Sequence, residues 1–245
     1  MIDVRPILTQ VSHRPWPLPQ GAWIMEQGWY DLLFAHWPYS LQRIRDLVPP
    51  ELEVDAFAGE AWLSIASFHL RLRPRGLSAM GKFWYFPELN FRTYVRFRGQ
   101  GGIFFFSLDA GSLAAVLGAR AFFRVPYFHS RMQIGSEGSQ VHFESNRRFS
   151  NASFVADYHP TSAVYEAAPG SLEHWLTERY CFFTVVRGKV FRTDIHHVPW
   201  PIQKAEAEIS MSTLAGGAGL SLDSQPALVG YVKQQEVLVW PLRRA

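Results

Sequence analysis

Residues 88–98 read Glu88-Leu89-Asn90-Phe91-Arg92-Thr93-Tyr94-Val95-Arg96-Phe97-Arg98. Side chains alternate across a strand, so Leu89, Phe91, Thr93, Val95 and Phe97 share one face and Glu88, Asn90, Arg92, Tyr94 and Arg96 the other. Two readings of the polar face are open. In one, it is solvated and the apolar face forms the core, which periodicity alone favours. In the other, the polar face turns inward and brings a carboxyl, an amide, a guanidinium and a phenol into one cavity.

Working outward, Gly99-Gln100-Gly101-Gly102 reads as a hairpin connection to an aromatic return strand, Ile103–Leu108. Upstream, Ala61–Arg73 is apolar on both faces, as a central strand would be. Trp23–Trp37 and Leu52–Phe57 are further strands, and Ser40 can cap a short helix stopped by Pro49-Pro50. Downstream, Asp109 can cap a helix from Ala110 to about Phe122, with Leu113, Val116, Leu117 and Arg120 along one side. The strand pattern resumes at Tyr127–Ile134, Val141–Ser150 and Phe154–Tyr158. Ser171 opens a helix running to about Cys181, and Phe182–Asp194 reads as a hairpin turning at Arg187-Gly188-Lys189. Glu206–Met211 and Val237–Trp240 complete the strands. This order predicts a mainly β fold, an antiparallel closed barrel or cone with a few short helices, rather than βαβ units. Residues 1–22, with Pro15, Pro17 and Pro19, read as an extended arm, and residues 23–245 as one domain.

The 245 residues are 48% hydrophobic and 18% charged, enough for a sizeable core and against disorder. The formal net charge is +3, with Arg71, Arg73 and Arg75 and the Arg147-Arg148 pair its densest basic stretches. These are strand-end clusters rather than a long patch, so no nucleic-acid partner is expected. No uninterrupted run of about 18 apolar residues suggests a membrane span, and the first residues lack a signal-like apolar stretch. With one cysteine, Cys181, no intrachain disulfide can form, and the cytoplasm is the expected location. In Tyr180-Cys181-Phe182-Phe183 that cysteine reads as buried filler.

Neither a dinucleotide fingerprint nor a Walker loop occurs, so no cofactor is expected. The nine histidines lack metal-ligand spacing, and no metal is expected. Arg120 interrupts an apolar helix side, where a charge needs either an acidic partner or an anionic ligand. His36 is either a satisfied core histidine or an acid–base group. Tyr127 either packs or offers its hydroxyl to a site.

Several stretches resemble one family: Trp29-Tyr30-Asp31-Leu32-Leu33-Phe34-Ala35-His36-Trp37-Pro38, Glu88-Leu89-Asn90-Phe91-Arg92-Thr93-Tyr94-Val95, Phe105-Phe106-Ser107-Leu108-Asp109-Ala110, Ala119-Arg120 leading to Val125-Pro126-Tyr127, and His197-Val198-Pro199-Trp200-Pro201. They resemble the YqjF-like family of uncharacterised bacterial proteins, grouped with the acetoacetate decarboxylase-like superfamily. The resemblance implies a β-rich closed fold around a pocket and places Glu88 near a pocket glutamate. It also sets Tyr127 and Phe128 where the decarboxylases carry a Schiff-base lysine and its neighbour, the pair by which a nearby cation keeps the amine neutral. No lysine occurs between Lys82 and Lys189, so lysine-dependent acetoacetate decarboxylation is not expected. The expected function is binding, or an unassigned reaction, of a small and possibly anionic organic ligand, a carboxylate or ketone. Glu88, Asn90, Arg92, Tyr94, Arg120, Tyr127 and His36 are the site candidates, and Glu88 the candidate acid or base. The alternative is a non-enzymatic assembly module with a vestigial pocket. The superfamily's large oligomers suggest a homo-oligomer bridged by the arm.

Overall fold

The computed structural model describes residues 3–76, 84–222 and 224–245. Among the described residues, thirteen strands form one hydrogen-bonded sheet. They are β1 Met25–Tyr39, β2 Glu53–Val54, β3 Ala61–Pro74, β4 Trp84–Phe97, β5 Gln100–Ala110, β6 Tyr127–Glu137 and β7 Gln140–Arg147. The rest are β8 Ser153–Pro160, β9 Cys181–Val186, β10 Lys189–His196, β11 Gln203–Ser212, β12 Leu228–Val239 and β13 Arg243–Arg244. Pairing runs in a circuit from β5 through β6, β7, β8, β11, β12, β1, β3 and β4 back to β5. A second path leaves β5 through β9 and β10 and rejoins it at β12. Only β5–β6 and β5–β9 are parallel among these pairs. The β5–β6 pair needs a crossover, supplied by a helix, Leu113–Phe122.

Strands β1, β3 and β4 are buried on both faces. Their one face, with Leu33, Ala35, Leu63, Ile65, Leu89 and Phe91, packs into the larger core. Their other face, with Leu32, Phe34, Ala66, Phe68 and Phe86, packs under Trp200, Val237 and Val239. Directly paired residues share a face, so Phe68 lies beside Glu88, Ala66 beside Asn90 and Ser64 beside Arg92. The polar row of β4 is therefore interior. Glu88, Asn90 and Arg92 are 5%, 2% and 3% exposed, which overturns the solvated reading. Periodicity could not show this, because a second layer covers the polar face as fully as the first covers the apolar one.

The helices are shorter than expected. They are α1 Arg5–Thr9, α2 Leu41–Arg45, α3 Leu113–Phe122 and α4 Leu172–Thr177. Ser40 caps α2 as predicted. Asp109 does not cap α3. Ser112 does, accepting from the Ala115 N–H at 3.3 Å. Asp109 ends β5 as a buried carboxylate held by Arg147 and Ser130. The expected helix to Cys181 stops at Thr177, because Cys181 begins β9. The Leu52–Phe57 strand shrinks to Glu53–Val54. The β4–β5 turn is Arg98-Gly99, both with positive φ (50° and 77°), the twist-matched form for a two-residue hairpin.

The N-terminal residues are not simply extended. They carry α1, whose Ile7 is buried against Leu238 and Trp240. Nε2 of His196 donates to the Ile7 carbonyl at 2.7 Å, and Arg14 donates to the carbonyl of Ile195 at 2.8 Å.

Candidate functional site

A cavity of about 470 Å³ lies between the interior row of β4, the crossover helix α3 and the start of β9. Every second residue of β4 from Trp84 to Arg92 lines it, as strand alternation dictates. Trp29, Leu70 and Leu72 add apolar wall from β1 and β3. Helix α3 presents Ala114, Ala115, Gly118 and Ala119, small residues that let its backbone lie close over the cavity.

Glu88 sits midway along the row. The Tyr127 hydroxyl donates to its Oε2 at 2.8 Å, and the Asn90 amide donates to the same carboxyl. Burial outweighs both and pushes the Glu88 pKa up to about 8. Glu88 is thus a neutral acid at pH 7, and Tyr127 is held well above its ordinary range by burial and by Glu88. Asn90 Oδ1 has no hydrogen-bond partner among the described residues.

Arg92 closes the inner end. It forms no ion pair among the described residues, and its Nε has no partner. Its guanidinium stacks over Phe34, 5.3 Å from the ring centre, and donates to the Tyr94 hydroxyl. Tyr94 then offers its own hydrogen to His36 Nδ1, 3.3 Å away. Burial and the nearby Arg92 charge hold His36 well below its ordinary pKa, so it is the neutral acceptor this relay requires. Burial lowers the Arg92 pKa too.

A second buried arginine, Arg179, reaches the same end of the cavity. Its Nη1 donates to Asp55 Oδ2 at 2.7 Å and its Nε to the Trp175 carbonyl at 2.7 Å, while its Nη2 has no partner among the described residues. Trp175 and Tyr94 flank the guanidinium at 4.2 and 5.0 Å. Asp55 also takes Arg96 at 2.7 Å. Arg179 is neutralised by Asp55, whereas Arg92 is not neutralised.

The structure thus gathers Glu88, Asn90, Arg92 and Tyr127 at one cavity. Tyr94 and His36 stand behind Arg92 and do not line it. Arg120 is elsewhere: it is exposed, donates to the Tyr127 carbonyl at 2.6 Å and borders a separate groove with Arg124. The expected helix side failed because Leu113 and Leu117 also face solvent, and only Val116 is buried. Arg179 was missed in the sequence. Its one signal was an arginine set directly before the apolar run Tyr180-Cys181-Phe182-Phe183 and four residues after Trp175. Cys181 lines the cavity as a buried thiol whose pKa burial raises to about 12, so it is not nucleophilic. Among the described residues no lysine lines the cavity. Lys189, Lys204 and Lys233 are exposed, and Lys82 lies outside the described residues. No three His, Cys, Asp or Glu side chains converge among the described residues, and no described helix is long and apolar enough to cross a membrane.

Residues 26–236 match the DUF2071 family, described as an uncharacterized conserved protein. The chain belongs to that family. It is 48% identical over 229 residues to the uncharacterized protein YqjF of Bacillus subtilis, covering 93% of this chain and 95% of that one. Among solved structures, the enduracididine biosynthesis enzyme MppR complexed with pyruvate is similar at TM-score 0.63 and 12% identity, covering 94% of this chain and 92% of that one. The acetoacetate decarboxylase of Legionella pneumophila is similar at TM-score 0.59 and 14% identity, covering 96% and 93%. At these identities the likeness is one of fold, and it places this DUF2071 chain on the acetoacetate decarboxylase-like architecture.

Proposed function

We propose that this cavity binds a small organic carboxylate, with Arg92 as the anion's partner and Glu88 as a neutral acid beside it. One observation carries the reading: Arg92 is buried at the inner end of the cavity with no acidic partner among the described residues. An unpaired buried charge costs several kcal/mol. A ligand carboxylate would offset that cost through Arg92 Nε and Arg179 Nη2, which have no partner among the described residues, with the directional bonds guanidinium groups favour. The pyruvate named with MppR, a small oxo acid on a related fold, is consistent with this ligand class. If a reaction occurs, Glu88 is the group suited to donate a proton at neutral pH, because its pKa lies near the working range.

Imine chemistry is not part of the proposal. At the position the family resemblance aligns with the decarboxylase lysine stands Tyr127, which is committed to Glu88. A phenol cannot form an imine with a ketone. The alternative, an assembly module with a vestigial pocket, has the N-terminal arm bridging subunits, and in the single chain that arm packs through Ile7 against Leu238 and Trp240.

The test is a thermal-shift panel on the full chain with butanoate, pyruvate and benzoate against butanamide, acetone and benzamide. A ligand selective for the folded state raises its melting temperature. Carboxylates should stabilise and their neutral counterparts should not. Equal shifts, or none, would refute the reading. Borohydride treatment with a ketone should label no lysine, and a labelled lysine would restore imine chemistry.

A further inference from the structure

Resting on that reading, we infer that the cavity takes an unbranched monocarboxylic acid head first, with its hydrocarbon tail running out along β4 between Trp84 and Phe122. Trp84, Phe86, Glu88, Asn90 and Arg92 all line one cavity. They span eight residue steps of one strand, roughly 25 Å at about 3.3 Å per residue. An acid the size of pyruvate reaches only a fraction of that length.

Polarity is graded along the row. The inner end holds Arg92 and Arg179, whose Nη2 has no partner among the described residues. The outer end is apolar: Trp84 pairs with Leu72 and Phe86 with Leu70, and Pro241 and Leu242 complete it. The row stays buried from Arg92, 3% exposed, through Phe86, 5% exposed, and opens at Trp84, 44% exposed, while Phe122 of α3 is 73% exposed on the opposite rim. Large apolar side chains left in solvent at the opening of an apolar cavity mark where a hydrophobic ligand would emerge. The polar belt midway opposes a tail only at Asn90 Oδ1, which has no partner among the described residues, since Glu88 already accepts hydrogen bonds from Tyr127 and Asn90. A linear acid therefore satisfies both ends, whereas a short acid leaves the outer wall wet and a neutral lipid leaves Arg92 unpaired.

Calorimetric titration of the full, unmodified chain with butanoate, hexanoate, octanoate and dodecanoate, all below their micelle concentrations, tests this. Affinity should rise about fourfold per buried methylene and level off once the tail reaches the rim. Dodecanol should bind at least about tenfold more weakly than dodecanoate. Phe122→Ser should weaken dodecanoate and leave butanoate unchanged. If affinity does not depend on chain length, the tail inference is overturned while the carboxylate reading stands. If dodecanol binds as well as dodecanoate, or no acid binds, both are overturned.

Discussion

Tyr127 donates its hydroxyl to Glu88 at 2.8 Å, joining the first residue of β6 to the middle of β4 across the cavity. This bond works against burial: it stabilises the Glu88 carboxylate, while the desolvated setting favours the neutral acid. Tyr127→Phe should therefore move the Glu88 titration above about 8 and cost about 1 kcal/mol of stability. Carbon NMR of the labelled glutamate carboxyl follows the midpoint. An unchanged midpoint would mean the bond does not influence that proton.

Glu88 also sets a pH dependence whose sign can be worked out. In the unfolded chain it loses its proton near 4.5, and in the fold near 8. Between those values the folded state holds a proton that the unfolded state has released, so stability falls as pH rises and levels off above about 8. His36 acts oppositely: its folded pKa is depressed below 6.5, so it costs stability as pH falls below 6.5. Comparing the parent with Glu88→Gln isolates the carboxyl. Relative to the parent, the variant should gain stability progressively from about pH 4.5 to about 8, on the order of a few kcal/mol. Denaturant unfolding at a series of pH values measures this, and parallel curves would exclude a raised Glu88 pKa.

Arg179 depends on a glycine across the hairpin. A Cβ at Gly101 would lie 2.7 Å from Arg179 Nη1 and 3.4 Å from Asp55 Oδ2. Gly101 does not have a positive φ, so the constraint is contact rather than backbone conformation. Gly101→Ala should push the guanidinium out of its place between Trp175 and Tyr94 at a cost of about 1–3 kcal/mol. Carboxylate affinity should fall with it. Thermal unfolding and calorimetry check the two effects, and a variant that binds as the parent does would remove Arg179 from the site.

Much of the fold was legible from alternation. The β4 row, the central β3, the Arg187-Gly188 turn and the Ser40 cap all rest on local rules that tertiary packing did not override. What sequence could not supply was coverage. The Glu88–Tyr94 row reads as solvent-facing until the layer carrying Trp200 and Val239 is known to lie over it. The α3 error has the same origin. Its large residues suggested an inward side, yet Leu113 and Leu117 face out because the cavity side is built from Ala114, Ala115, Gly118 and Ala119, with Phe122 at the rim. Those small residues at helical spacing were a readable signal of close approach. Arg179 gave little signal, since its partner Asp55 lies 124 positions away and no local period links them.

In the proposed function, Arg92 carries a buried charge suited to a ligand carboxylate. Calorimetric titration of hexanoate into the parent and into Arg92→Met tests it most directly, because methionine keeps an apolar side chain of similar reach without the charge. The parent should bind, and the variant should bind about tenfold to a hundredfold more weakly, the worth of one charged hydrogen-bonded pair. Equal affinity in the two proteins would contradict the account.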